Sequence, residues 1–243
     1  MTRLSTLQLK MVKEMINQNK SLNVISNKLG LGKTTIYYYM RKIKGRKYIP
    51  IKLNLRSKEC IGEIIGIFSG DGHYVNDKKR WDRRIRIYFN INEPKLVEYY
   101  KNSIKILINK NPTVLIGNSV KILQITSKSF CDFILSYVTF GSRKVLTIQL
   151  QNKNLLKNKP FVKGFLRGLT DSDGYVRKGR KEIYYGSISK NLFNDFLEGL
   201  NLFGFKYKTY VQKRAGCSDF YKVRLSKEEV DKFNSMIKPL KRL

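Results

Sequence analysis

The sequence predicts a mixed α+β fold, in which a small all-α module precedes two tandem αββαββα units related by a pseudo-twofold. Three observations carry that prediction. First, Gly62, Gly66, Gly70, Asp71 and Gly72 recur 102 residues later as Gly164, Gly168, Ser172, Asp173 and Gly174. Second, each copy is followed by segments in which apolar and polar residues alternate with period 2, the mark of a strand with one buried face. Third, residues 4–44 carry only helical periodicities and lie outside the repeat.

The N-terminal module reads as three short helices. Leu7, Met11, Val12, Met15 and Ile16 recur at helical spacing. Asn19-Lys20-Ser21 breaks the pattern, and Ser21 is a good N-cap for the segment carrying Leu22, Ile25 and Leu29. Gly30-Leu31-Gly32 makes a tight turn, and Thr34 to Lys42 form a third helix. A short helix, a glycine turn and a polar-start helix resemble a helix-turn-helix. The third helix would offer Lys33, Thr34, Thr35, Tyr38 and Arg41 to a DNA groove. A three-helix packing unit without DNA contact has the same pattern. Residues 45–57 (GRKYIPIKLNLRS) read as a basic linker. The expected domains are therefore 1–44, the linker 45–57, a first half 58–150 and a second half 151–243.

In the first half, Arg84, Arg86, Tyr88, Asn90 and Asn92 alternate with Ile85, Ile87, Phe89 and Ile91. In the second, Lys206, Lys208, Tyr210 and Gln212 alternate with Phe205, Tyr207, Thr209 and Val211, and Lys222 and Arg224 with Tyr221, Val223 and Leu225. Helices are expected near 93–109, 127–138, 190–203 and 226–237. Leu96, Val97 and Tyr100 match Leu192, Phe193 and Phe196 at an offset of 96. The first half thus holds about six more residues, expected in its strand loops. A long period present twice suggests a pseudo-dimer rather than a solenoid.

Charge narrows the partner. There are 49 Lys+Arg against 18 Asp+Glu, a formal net charge of +31. Such an excess repels itself and calls for a polyanion, nucleic acid first. Codon bias toward AT-rich genes accounts for abundant Lys, Ile, Asn and Tyr, but not for scarce acids. No stretch approaches the ~20 apolar residues of a membrane span, and the N-terminus has no signal-peptide core. Cys60, Cys131 and Cys217 are odd in number and far apart, as in reduced intracellular proteins. An intracellular location, in cytoplasm, nucleoid or organelle matrix, is expected. His73 is the single histidine, which excludes HExxH zinc sites, Cys2His2 fingers and His-based nucleases.

Each repeat opens with an apolar helix: Ile61, Ile64, Ile65 and Phe68, then Phe161, Phe165, Leu166 and Leu169. Both carry a small-residue stripe at i, i+4, i+8. Glycine inside a helix costs about 0.5–1 kcal/mol relative to alanine, so Gly62, Gly66, Gly164 and Gly168 need a reason. Backbone-to-backbone packing of the two helices supplies one. Each helix ends in Asp-Gly, where a left-handed glycine is expected to stop it. Asp71 and Asp173 would then meet at the foot of the interface, where two carboxylates and two helix C-termini repel. Mg²⁺ suits such a place, since it takes one or two carboxylates and completes its shell with waters and phosphate oxygens. For a single Asp-Gly a turn or cap would suffice.

GEIIGIFSGDG (62–72) and GFLRGLTDSDG (164–174) resemble the two signatures of single-chain LAGLIDADG homing endonucleases. The resemblance spans about residues 59–243. It implies two saddle-forming halves joined by the motif helices, sheets lying in the DNA major groove, and metal-dependent cleavage of both strands by a monomer acting as a pseudo-dimer. Mg²⁺ is the implied cofactor, with Mn²⁺ as a substitute, and mobility of an intron or intein is the implied biology. The family's catalytic acid is the eighth motif position, here Asp71 and Asp173. Its sixth position is Ser69 in one copy and Asp171 in the other, so Asp171 is expected to cap or hydrogen-bond. Backbone carbonyls beside the acids, at Gly70 and Ser172, are implied metal ligands. The supporting basic residue is expected at Lys144, with Lys190 and Lys238 as second-half options, and Asn90 and Asn92 could organise water. Arg167 replaces a small second residue.

On this reading the polar strand faces meet DNA. The candidates are Tyr74, Asn76, Lys78, Arg80, Arg84, Arg86, Tyr88 and Asn90, then Tyr175, Arg177, Lys178, Arg180, Lys208, Tyr210, Gln212, Lys222 and Arg224. Arg pairs with guanine and Asn or Gln with adenine, while many lysines would only neutralise phosphates. Trp81 would stack at a hairpin tip or pack. The competing readings are a non-cleaving DNA-binding regulator, against which the retained acids argue, and an RNA splicing maturase. A PD-(D/E)xK nuclease explains less, since Asp77-Lys78-Lys79 offers only a short D-x-K and leaves the repeat unexplained.

Overall fold

Ser5 opens the first helix, α1 (Thr6–Asn17), with a capping box: its hydroxyl accepts from the Gln8 amide while the Gln8 side chain accepts from the Ser5 amide. Ser21 caps α2 (Leu22–Leu29), and Gly30 ends it in the left-handed region at φ +61°. Then comes α3 (Lys33–Lys44). Val12, Met15, Ile16, Ile25 and Ile36 form the core of this unit. Leu7 and Met11, which share the apolar spacing, are exposed. The computed structural model describes residues 4–44, 51–77, 82–177, 181–213 and 216–241. The chain divides into two units, 1–50 and 51–243.

The larger unit starts inside the expected linker. Ile51 and Leu53 pack against its core, and the Asn54 amide donates to the Leu107 carbonyl at 2.7 Å. Its first half runs α4 (Lys58–Asp71), β1 (Gly72–Asp77), β2 (Asp82–Asn90), α5 (Pro94–Ile108), β3 (Thr113–Ile116), β4 (Val120–Thr126) and α6 (Lys128–Leu135). A connection follows through β5 (Val138–Thr139), α7 (Lys144–Thr147) and β6 (Gln149–Leu150). The second half repeats the order: α8 (Lys159–Asp173), β7 (Gly174–Arg177), β8 (Glu182–Ser187), α9 (Lys190–Leu202), β9 (Tyr207–Gln212), β10 (Phe220–Leu225) and α10 (Glu229–Met236). Both sheets are antiparallel, with orders β1-β2-β4-β3 and β7-β8-β10-β9.

Alternation decides which sheet face is buried. Ile85, Ile87 and Phe89 of β2 and Leu123 and Ile125 of β4 turn inward, as do Ile183 and Tyr185 of β8 and Val223 and Leu225 of β10. The edge strand β9 departs from expectation: Thr209 and Val211 are exposed like their polar neighbours. The first half's extra length also differs from expectation. It lies mostly in the strands, since β1 and β2 span 6 and 9 residues against 4 and 6 in β7 and β8.

The core is organised around α4 lying against α8. A methyl group on Gly62 would fall on the Phe161 carbonyl, on Gly66 on the Phe165 carbonyl, on Gly164 on the Glu59 carbonyl and on Gly168 on the Glu63 carbonyl. The stripes therefore do bring backbone against backbone. The helix ends are made differently from the expectation. Gly72 and Gly174 are extended, at φ −85° and −80°, and lead straight into β1 and β7. Glycine is needed there because a Cβ would strike the Phe68 and Thr170 carbonyls of the preceding turn.

A polar layer crosses the same interface. Arg167 of α8 bonds Glu59 of α4 at 2.5 Å and donates through Nε to the Ile237 carbonyl at 2.7 Å. It stands 3.6 Å from Glu63, which also accepts from the Tyr99 hydroxyl at 3.2 Å. Burial pushes the Glu63 carboxyl up to about 7, against the opposing pull of Arg167. Its Oε1 has no hydrogen-bond partner among the described residues, as suits a protonated acid.

Two outcomes follow from this packing. Gly168→Ala should lower unfolding stability by roughly 1–3 kcal/mol or more, because only backbone could yield, whereas Gly141→Ala, with no neighbour closer than 3.5 Å, should stay within about 0.5 kcal/mol. Denaturant unfolding of both variants checks this. Glu63 is held above its ordinary value of 4.5, so the folded state binds its proton more tightly and Glu63's stability contribution grows as pH falls from about 7 to about 4.5. Glu63→Gln should therefore melt above the wild type at pH ~8, with the gap closing toward pH ~4.5. A gap that does not change with pH would rule out a neutral Glu63.

Candidate active site

Because α4 and α8 lie backbone to backbone, they end side by side. Asp71 is the last residue of α4 and Asp173 the last of α8. An Asp173 carboxylate oxygen lies 2.8 Å from where a Gly70 Cβ would stand. Asp71 is half-buried and Asp173 reaches solvent, but protein crowds both. Desolvation is the first cause of a raised pKa at each, and Asp173 is pushed up to about 6 with the Asp71 charge adding to the effect. The Lys144 and Lys241 charges oppose that rise at both acids. Neither acid's shift draws on a hydrogen bond.

Two lysines close the helix ends. From α7, Lys144 donates to the Ser69 and Gly70 carbonyls at 2.8 and 2.9 Å and lies 5.1 Å from the centre of the Phe68 ring. Burial pushes its ammonium down to about 8, against the pull of Asp173 and Asp71. From the segment after α10, Lys241 donates to the Ser172 carbonyl at 2.6 Å. Lys144 thus stands at the end of α4, beside the two acids. The second-half lysine at the acids is Lys241, while Lys190 and Lys238 are exposed. The signal was present: Lys241 lies 97 residues beyond Lys144, one off the second repeat offset. Asp171 does hydrogen-bond, accepting from the Tyr100 hydroxyl at 2.9 Å and from the Leu240 and Lys241 amides at 2.6 and 3.1 Å. A cavity beside it is lined by Asn92, Glu93, Lys95, Leu96, Leu240 and Lys241. Asn90 accepts from the Asn92 amide at 2.9 Å.

The donors available to a metal are oxygens only: two carboxylates and the Gly70 and Ser172 carbonyls. Among the described residues no cluster of three His, Cys, Asp or Glu is found. This set does not suit Zn²⁺, and it does suit a hard cation that keeps waters and takes further oxygens from a substrate. The two carbonyls already face an ammonium each, so both are places where positive charge is stabilised. The residues therefore fit Mg²⁺ or a similar ion.

Strand register sorts the surface candidates. Residues directly opposite in an antiparallel pair share a face. Arg84, Arg86, Tyr88 and Asn90 lie on the outer face of the first sheet. Tyr74 and Asn76 do not join them: Tyr74 pairs with buried Ile85 and packs on the core, and Asn76 pairs with Arg83. The outer residues of β1 are His73, Val75 and Asp77. The sequence reading also missed Thr113, Gln124 and Thr126, which share the outer face through β3 and β4. Gln124 accepts from Arg86 Nε at 2.8 Å, and Asp82 pairs with Arg84 at 2.7 Å. In the second sheet, Tyr175, Lys208, Tyr210, Gln212, Lys222 and Arg224 all fall on one outer face, joined by Tyr184 and Glu182, while the Arg177 side chain lies outside the described residues. Lys78, Arg80, Trp81, Lys178 and Arg180 lie outside the described residues. In the small unit, Lys33, Thr34 and Arg41 are exposed on α3, Thr35 is half-buried, and Tyr38 is half-buried with Lys42 over its ring at 4.9 Å.

The comparisons with known proteins agree with this architecture. A family model described as a LAGLIDADG-like domain matches residues 160–238. The homing endonuclease I-DmoI, solved with DNA and Mn, is similar at a TM-score of 0.60 and 16% identity, over 75% of this chain and 97% of that one. The homing endonuclease I-WcaI bound to its DNA recognition sequence gives 0.50 and 12%, over 88% and 92%. The N-terminal LAGLIDADG domain of DUF199/WhiA gives 0.51 and 14%, over 99% and 96%. In sequence, 180 residues are 25% identical to the isomerizing glutamine–fructose-6-phosphate aminotransferase of Methanocaldococcus jannaschii, over 73% of this chain and 16% of that protein. The chain thus spans only about a sixth of that relative. Residues 160–238 thus match a LAGLIDADG-like domain, and the two motif helices with their two four-stranded sheets share the fold of the homing endonucleases to which the chain is similar.

Proposed function

We propose that this chain is a sequence-specific endonuclease that cuts both strands of a DNA duplex with divalent-metal help, as a monomer whose two halves act as a pseudo-dimer inside the cell. One observation carries the reading: two crowded carboxylates, Asp71 and Asp173, brought together at the foot of a glycine-lined helix pair. A protein that only bound DNA would gain nothing from that repulsion. The net charge of +31 supplies the general attraction to a phosphate backbone.

In the proposed mechanism Asp71 and Asp173, with the Gly70 and Ser172 carbonyls, would hold Mg²⁺, for which Mn²⁺ would substitute. The bound ion supplies Lewis-acid polarisation of the phosphodiester and activation of water. Lys144 and Lys241 hold positive charge beside the acids, where charge builds on a phosphate as its bond breaks. The outer sheet faces position the duplex. Arg86, oriented by Gln124, keeps guanidinium N–H groups free for guanine, and Gln212 offers the amide pattern that reads adenine. Lys208 and Lys222 serve phosphates. In the small unit, α3 offers Lys33, Thr34 and Arg41 as a recognition helix of its own. The similar I-DmoI structures, solved with its target DNA and Mg, Mn or Ca, support the choice of ligand and ion.

Asp71→Asn and Asp173→Asn should each abolish double-strand cutting in Mg²⁺ while leaving duplex affinity nearly unchanged. Sites are selected from a randomised library and then assayed by cleavage and by gel shift. Wild-type cutting rates in both single variants would overturn the assignment. Affinity should fall steeply with salt, by roughly 0.9 log units per log unit of salt for each phosphate neutralised. Without DNA, millimolar Mg²⁺ should raise the melting temperature of the wild type and leave that of the doubly substituted Asp71→Asn, Asp173→Asn protein in place.

A further inference from the structure

The two lysines at the acids are held in different ways. Lys144 stands on a short helix, α7, so regular backbone aims it. Lys241 follows α10, and no helix carries it. What fixes it instead is Asp171, one residue before the carbonyl that Lys241 contacts. The buried Asp171 carboxylate accepts from the backbone amides of Leu240 and Lys241, and its other oxygen accepts from the Tyr100 hydroxyl, itself fully buried. Lys241 Nζ then has only to reach the Ser172 carbonyl, the next residue of the same helix.

The matching positions in the other half lack every part of this clamp. Tyr100 is the seventh residue of α5, and the seventh residue of α9 is Phe196, which has no hydroxyl. The sixth motif position there is Ser69, whose hydroxyl donates to the Ile65 carbonyl of its own helix at 2.7 Å. A tyrosine–aspartate pair on one side is thus a phenylalanine–serine pair on the other, and the clamp occurs where the lysine has no helix. A purely structural buried acid would have no cause to follow that asymmetry.

We propose that Asp171 is a positioning residue that holds the 240–241 backbone so that Lys241 serves one of the two strand cuts. The proposal rests on the endonuclease reading above. Tyr100 is its partner in the clamp, fixing the carboxylate from the first half. The halves should therefore respond separately: Lys144 serves one strand through α7, and Lys241 serves the other through Asp171.

The test is a strand-resolved nicking assay on a doubly labelled duplex, with hydrogen exchange of the 240–241 amides measured on the same proteins. Asp171→Ala and Lys241→Ala should each slow cutting of the same strand by about 10–100-fold and accumulate product nicked in the other. Lys144→Ala should slow the opposite strand. The double substitution should be no slower than Lys241→Ala alone, because the two residues act in series. Asp171→Asn, which keeps acceptor oxygen in place, should recover much of the loss, and if Asp171→Ala does not fold, Tyr100→Phe, which removes the other clamp partner, should slow the same strand. Equal slowing of both strands by Asp171→Ala, or multiplicative losses in the double variant, would overturn the proposal. If no variant and no wild type cuts any duplex, yet the amides are protected in wild type and Asp171→Asn and not in Asp171→Ala, the clamp stands and the nuclease reading fails. Unprotected amides in the wild type would sink the clamp itself.

Discussion

Everything in the larger unit depends on the approach of two helix backbones. With a Cβ at Gly62, Gly66, Gly164 or Gly168, α4 and α8 would be forced apart by collision with carbonyl oxygens. The helices would then end with their acids separated, and the carboxylates would be two ordinary caps. Closeness carries costs: glycine is a poor helix former, and the interface ends in like charges. Burial of Phe161, Phe165, Ile61, Ile65 and Phe68 along the same pair opposes those costs.

Charge at the foot of the interface is balanced by cations that the protein carries itself. A helix end leaves carbonyls unsatisfied and concentrates negative potential. Lys144 and Lys241 answer both needs, each reaching carbonyls on a different helix. The arrangement holds two acids near one another with a lysine beside each helix end. Farther along the interface, Arg167 does comparable work for Glu59 and Glu63.

Much of this could be read from the sequence, and the misses have physical causes. The paired Gly stripes were legible because a helical glycine is costly, so a matched series signals contact. The faces of β2 and β10 were legible because burial on one side enforces period 2. The face of β1 was not: Tyr74 and Asn76 look polar, but register with Ile85 and Arg83 assigns the face, and register is a property of the pairing. The edge strand β9 was misjudged since a strand paired on one side and left uncovered need not alternate in burial. Gly72 and Gly174 were expected in the left-handed region, yet they are extended and exclude a Cβ because of crowding by the preceding turn. Lys241 was overlooked because no regular element announces it.

The Tyr100–Asp171 contact has a consequence for how the chain can have become one chain. It belongs to neither half, since α5 supplies the hydroxyl and α8 the carboxylate. Two copies of the first half would set Tyr100 toward a serine, replacing a carboxylate acceptor with a neutral hydroxyl. Two copies of the second would set Asp171 toward a phenyl ring, leaving its carboxylate only the Leu240 and Lys241 amides. Either pairing loses the charge-assisted hydrogen bond that the fused pair makes. The exchange of one tyrosine–aspartate pair for phenylalanine and serine thus favours the pairing of unlike halves over that of like ones.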